Sequence, residues 1–166
     1  DNRILYMARL ENGFVFVQDE GLLFTDSSLA PHAHSDLEHQ HNDTTYLRHA
    51  FLLKPMGMMS QTPEASELLQ GYSNYFIGSD KSKWKSNVPA YGSILYKNVY
   101  NGIDWRVSGI EGELKHEFVL KPQSEVSDIR LLYSGVQNKE LRDENLILTL
   151  AFGEVVEQKP YAYHRL

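Results

Sequence analysis

The chain has 166 residues, enough to bury one sizeable core, and no cysteine, so neither a disulfide framework nor a cysteine-ligated metal holds it together. Its net charge of −6 is unevenly placed: residues 1–70 hold 10 acids and 4 bases, whereas residues 71–166 hold 12 of each. No basic face offers counterion release from nucleic acid or attraction to an anionic membrane, and no apolar run reaches the roughly 18 residues of a transmembrane segment.

The chain opens Asp1-Asn2-Arg3 without a basic-then-apolar leader, as an excised mature domain also would. Ile4 to Arg9, Phe14 to Val17 and Leu22 to Thr25 read as three strands joined by turns at Glu11-Asn12-Gly13 and Asp19-Glu20-Gly21, an antiparallel meander with an Asn-Gly hairpin signal. Asp26 to Asp43 is polar and aperiodic and reads as an exposed loop. Alternation resumes from Thr44 to Pro55. Thr62, followed by Pro63 and then Glu64, Ala65, Glu67, Leu68 and Leu69, predicts a helical turn or two with Thr62 as its cap.

Tyr72 to Ile77 is extended, Asp80 to Trp84 is a turn, and Pro89 and Gly92 bracket another turn before a strand over Ser93 to Tyr100. Ile103 to Val107 and Glu113 to Leu120 form a hairpin around Gly109 to Gly112. Ile129 to Tyr133, Leu146 to Leu150 and Glu154 to Gln158 complete the series. Ten or more short strands with little helix predict an all-β fold, an antiparallel β-sandwich or two packed sheets, in a single domain over 1–166.

Two clusters could carry chemistry. His32, His34, His39 and His41, interspersed with Asp36, Glu38 and Asp43, put four of the seven histidines within ten residues. Imidazoles and carboxylates in this density suit a divalent metal such as zinc, copper or nickel, although the spacing matches no standard zinc motif and a solvated polar loop has the same composition. Asp104, Glu113, His116 and Glu117 share the predicted hairpin, where Asp104 is expected close to His116 or Glu117 across the strands. Such a pair suits acid–base work, or simply a cross-strand polar contact. Asp80, Asn87 and Asp104 offer oxygens to calcium without EF-hand spacing.

The aromatics Tyr72, Tyr75, Phe76, Trp84, Tyr91, Tyr96, Tyr100 and Trp105 would serve either as a sugar-stacking platform or as core. Phe76, Trp84 and Trp105 are assigned to the core. Ser108 and Ser134 lack the context of an activated nucleophile.

Asn74-Tyr75-Phe76-Ile77-Gly78 with Trp84, Asn87-Val88-Pro89-Ala90-Tyr91-Gly92, Tyr96-Lys97-Asn98-Val99-Tyr100, Gly102-Ile103-Asp104 and Glu117-Phe118-Val119 form one pattern, which resumes at Ile129-Arg130-Leu131 and closes at Gly153-Glu154 and Gln158-Lys159-Pro160-Tyr161. It resembles the N-terminal β-rich domain of large secreted bacterial surface proteins, most specifically over residues 71–163, with a variable segment at 27–70. In that family the domain precedes SBBP-type or PKD/Ig-like repeats, and many members end in a gliding-motility-associated, type IX secretion sorting domain. His116 stands where the family usually has Tyr or a similar residue.

The resemblance implies a non-catalytic module of a multidomain protein, secreted or at the bacterial cell surface, serving adhesion, gliding-associated function or surface assembly. Its implied partners are other domains of the same polypeptide, surface or secretion-machinery proteins, or glycans. The alternatives are a metal-dependent or carbohydrate-active enzyme, which a pocket joining Asp104, His116 and Glu117 or well-ordered histidines over 32–41 would favour, and a carbohydrate-binding module, which needs exposed, coplanar aromatics.

Overall fold

Strand-length alternation organises nearly everything in the computed structural model, which describes residues 4–29, 46–110 and 112–163. In chain order the strands are β1 (Tyr6–Leu10), β2 (Gly13–Gln18), β3 (Gly21–Leu29), β4 (Tyr46–Pro55), β5 (Glu64–Tyr75), β6 (Lys85–Tyr100), β7 (Ile103–Ile110), β8 (Glu113–Leu120), β9 (Leu131–Ser134), β10 (Asn138–Arg142), β11 (Asn145–Leu150) and β12 (Gly153–Glu157). They form three antiparallel sheets, ordered β1-β2-β3-β4-β9, β5-β6-β7-β8 and β10-β11-β12, so the fold is an all-β sandwich.

The first sheet carries its core as rows across the strands. Tyr6, Val17, Leu22, Leu53 and Tyr133 are successive cross-strand partners, and Ala8, Val15, Phe24 and Phe51 form the next row inward. Phe24 and Phe51 stack with centroids 4.7 Å apart. Gly13 is required where β2 turns in, because a Cβ there would lie 1.8 Å from the Thr25 carbonyl oxygen of β3.

The second sheet answers with an aromatic ladder. Tyr96, Trp105 and Phe118 pair across β6, β7 and β8, with ring centroids 5.1 and 6.2 Å apart and near-parallel planes. Leu148 and Leu150 of β11 join the same buried cluster from the third sheet. Side chains alternate along a strand, so Ile103, Trp105 and Val107 face this core while Asp104, Arg106 and Ser108 face outward.

Tyrosine hydroxyls fasten the second sheet to its neighbours. The Tyr96 hydroxyl donates to the carbonyls of Gln18 (2.5 Å) and Gly21 (3.1 Å) at the β2–β3 turn. Burial, reinforced by Asp19, pushes this phenol well above its ordinary pKa, so it remains a donor. Tyr100 donates to the Arg130 carbonyl and accepts from the Arg130 N–H. Tyr96→Phe leaves the turn carbonyls without their donor, and chemical denaturation should register a loss of about 1–3 kcal/mol. A loss below about 0.5 kcal/mol would show that water replaces the hydroxyl.

Several expectations are corrected. The polar run from Asp26 is not loop from its start: Asp26 to Leu29 continue β3, paired with Tyr46 to His49 of β4. The helical turn over 62–69 is the opening of β5 instead, since pairing with β6 satisfies its backbone and no helical stripe is there to bury. Nor do Pro89 and Gly92 bracket a turn. Both lie within β6, and Pro89 is tolerated because β7 pairs with β6 only from Ser93 onward, leaving Pro89 a single neighbouring strand. β10 was not expected; its five residues, Asn-Lys-Glu-Leu-Arg, are all exposed and carry no apolar alternation.

On the Tyr91 side of Ser93, β5 and β6 pair only with each other among the described strands. From Ser66 to Tyr91 every residue is exposed except half-buried Trp84 and Val88, so the two strands form a ribbon with both faces in solvent. Bulges at Leu68–Tyr72 and Ser73–Tyr75 bend it, with Glu67 and Asn87 at positive φ (61° and 55°). Its tip is nonetheless well tied. Trp84 donates to the Gly78 carbonyl (3.1 Å) and packs on Phe76 at 5.4 Å, Asp80 accepts from the Ser82 N–H (3.1 Å) at the start of a 3-10 turn (Lys81–Lys83), and Asn74 accepts from the Asn87 N–H (2.9 Å). Phe76 and Trp84 therefore belong to the arm, not the core, whereas Trp105 is completely buried as expected.

Candidate functional site

β8 reads Leu114, His116, Phe118 on one face, which places an imidazole in an apolar row opposite Val107. A polar group there needs partners, and it has two. The Trp105 Nε1–H donates to His116 Nδ1 (3.2 Å), so the ring proton resides on Nε2, which donates to Glu157 Oε1 (2.9 Å). Glu157 faces inward beside Val155 on β12, since Leu146 and Leu148 are the cross-strand partners of these two residues. Its other oxygen, Oε2, accepts from the Tyr133 hydroxyl of β9.

This chain of hydrogen bonds, Trp105 to His116 to Glu157 from Tyr133, takes one or two residues from each of the three sheets. Burial raises the Glu157 carboxyl pKa, but the bonds from His116 and Tyr133 outweigh it and leave the group below its ordinary value, ionised near neutrality. Burial first, then the Glu157 bond, pushes Tyr133 far above the usual phenol range. Both imidazole nitrogens are occupied by these two bonds.

Asp104, His116 and Glu117 are not brought together. His116 and Glu117 are consecutive on β8 and point to opposite faces. Asp104 lies opposite Val119, on the outer face with Glu117. Its carboxylate pins the bulge in β6, accepting from the Asn98 N–H (2.8 Å), with Lys121 Nζ at 3.5 Å. Glu113 sits at the hairpin end opposite Ile110. The calcium candidates are likewise separated: Asp80 caps the arm tip, Asn87 lies in β6, and Asp104 lies in β7. His32, His34, His39 and His41 lie outside the described residues. Among the described residues no three His, Asp or Glu side chains converge as metal ligands.

A family described as a domain of unknown function, DUF7948, matches residues 1–166. The chain belongs to the DUF7948 family. No curated protein and no solved structure matches it.

This DUF7948 domain has a second polar cluster on the outer face of β8. Glu117 Oε1 accepts from Lys115 Nζ and from the Tyr163 hydroxyl, both at 2.8 Å. Lys115, then Tyr163, hold the Glu117 carboxyl below its usual range. Tyr161 and Tyr163, both exposed, stand with ring centroids 5.9 Å apart and planes tilted by 32°. Two open aromatic faces beside a Lys–Glu pair can stack on a pyranose and hydrogen-bond its hydroxyls. Sequence reasoning gave none of Tyr161, Tyr163, Tyr133 and Glu157 a place in a site. The signal for Glu157 was present: with Val155 it marks a carboxylate on a half-buried face of a strand.

Proposed function

We propose that the domain is a non-catalytic N-terminal module of a secreted bacterial cell-surface protein, serving adhesion, gliding-associated function or assembly of the exported chain. The observation that carries this reading is the β5–β6 arm, a well-tied ribbon with Leu68, Tyr72, Phe76 and Ile77 in the open (69%, 65%, 58% and 77% exposed). Exposed apolar surface concentrated on one projection is a mark of interaction sites. Asp104 and His116, for which acid–base work was one possibility, are meanwhile bonded to the β6 bulge and to Glu157 of β12. Other domains of the same polypeptide, surface or secretion-machinery proteins and glycans are the partners this reading admits, and the resemblance of residues 71–163 to surface-protein modules supports the location.

The Tyr161–Tyr163 pair favours a second reading, a carbohydrate-binding module. One adhesion experiment tests both. Beads carrying the domain are applied to bacterial outer-surface preparations and to immobilised glycans, beside an arm-shortened variant in which a two-residue Asn-Gly turn replaces residues 70–90, and beside Tyr161→Ala. Adhesion should fall at least tenfold on shortening the arm and stay within twofold for Tyr161→Ala. The reverse pattern on glycans would select the carbohydrate reading. Turnover of a polysaccharide that is lost in Glu117→Ala would sink the non-catalytic one.

A further inference from the structure

We infer that the arm's occupant is a second copy of this chain, laid antiparallel along it; this rests on the arm being the working surface. The argument starts from charge. At the root of the arm, Glu67 is exposed and its side chain lies over Gly92, where an added Cβ would come within 2.8 Å of its carboxylate. Among the described residues it has no ion-pair partner; its neighbour Glu64 is held by Lys97 at 2.7 Å.

At the tip the sign reverses. Lys81, Lys83 and Lys85 are all exposed, and only Lys83 is near a carboxylate, Asp80 at 3.6 Å. Lys81 stands over the Trp84 ring at 5.7 Å, and Lys85 forms no ion pair among the described residues. The arm is thus acidic at its root and basic at its tip, with Leu68, Leu69 and Tyr72 exposed along it and Phe76 and Ile77 exposed at the tip.

A two-fold interface places the same patch on both copies, with residue i meeting j and j meeting i. Two arms running antiparallel set each basic tip against the other's acidic root and bring their exposed apolar residues together. Two arms running parallel set like charges together at both ends. Root and tip are separated by about eight residues of strand, roughly 25 Å, well beyond the screening length of about 8 Å at physiological salt. The two ends therefore act as independent contacts that fix direction.

Successive residues of a strand face opposite sides, so one face of the arm presents only part of Leu68, Leu69, Tyr72, Phe76 and Ile77, less than the roughly 800 Å² per partner of a standard interface, and the charge contacts at the two ends supply the specificity. A lone two-stranded ribbon is marginal in water, and a second ribbon laid on it covers one of its open faces.

The test is sedimentation equilibrium on the whole 166-residue chain, beside Glu67→Lys and the double variant Lys81→Glu/Lys85→Glu. All three positions are exposed, so unchanged circular dichroism and melting are expected of each variant. The wild type should dimerise, more weakly as salt is raised. Each variant alone should show a Kd raised at least tenfold. Mixing the two restores a tip–root match at both ends and should return a heterodimer of near wild-type affinity.

A wild type that stays monomeric to millimolar concentration overturns the proposal, as does a dimer indifferent to both charge reversals. A monomer that instead sediments with anionic vesicles, and loses this in the lysine variant, overturns it in favour of a membrane surface. Adhesion of the monomeric charge variants separates the two readings: if they adhere undiminished, the dimer is not what the surface role uses, and that role stands.

Discussion

Trp105→Ala is expected to cost about 3–5 kcal/mol, the range for truncating a large buried aromatic. The indole is completely buried between Tyr96 and Phe118, so its removal opens a cavity in the middle of the ladder and ends three ring contacts, with Tyr96, Phe118 and His116. It also strips His116 Nδ1 of its donor. Domains of this size are stable by only about 5–15 kcal/mol, so the variant should melt many degrees lower and be partly unfolded at physiological temperature. Trp105→Phe keeps part of the stack but loses the N–H to His116 and some ring volume, and should cost at least the roughly 1–3 kcal/mol of the unsatisfied bond. Urea denaturation followed by far-UV circular dichroism measures both. A cost below about 1 kcal/mol for the alanine variant would mean that the ladder is not the centre of the core.

Glu157→Ala should be nearly as damaging, by about 3 kcal/mol, because it leaves the His116 Nε2–H and the Tyr133 hydroxyl without an acceptor in a half-buried site. Its acid dependence has a definite sign. The folded-state pKa of Glu157 lies below the ordinary value of 4.5, so the unfolded chain takes up this proton first on acidification. The group's contribution is therefore complete above about pH 4.5 and is lost as the pH falls through the folded-state value. Glu157→Gln removes this titration and should flatten the acid limb of stability against pH by up to about 1.4 kcal/mol per pH unit. Some slope remains, because Glu117 is depressed as well. An acid limb unchanged in Glu157→Gln would show that the carboxylate is not held as described.

The strands that could be read from the residues are those whose local signals and tertiary partners agree. Asn12-Gly13 sets the first hairpin, and the alternation of Ile103, Trp105 and Val107 against Asp104 and Arg106 sets the faces of β7. Where they disagree, the partner wins. Thr62-Pro63 is a sound helix-start signal, but the residues after it find their hydrogen bonds on β6. The arm was hidden for a different reason. Tyr72 and Phe76 have the composition of core, but among the described residues no third strand lies beside them and they are exposed, while Trp84 is half-buried against Phe76. The His116–Glu157 bond spans 41 positions, so each residue was visible as a polar group among apolar ones while its partner was not.

The first sheet places β9 against β4, leaving some 75 intervening residues to build the second sheet. A ribosome adding about 5–20 residues per second takes roughly 4–15 s to make that stretch. Until β9 is made, the backbone edge of Leu52 to Pro55 has no β9 to pair with, and the row ending at Leu53 lacks Tyr133. Glu157, which closes the bond joining the sheets, arrives later still. A chain that folded as it was made would thus wait seconds for its last first-sheet strand, an interval set by the separation of β4 and β9 in the sequence that no strengthening of β1 to β4 would shorten.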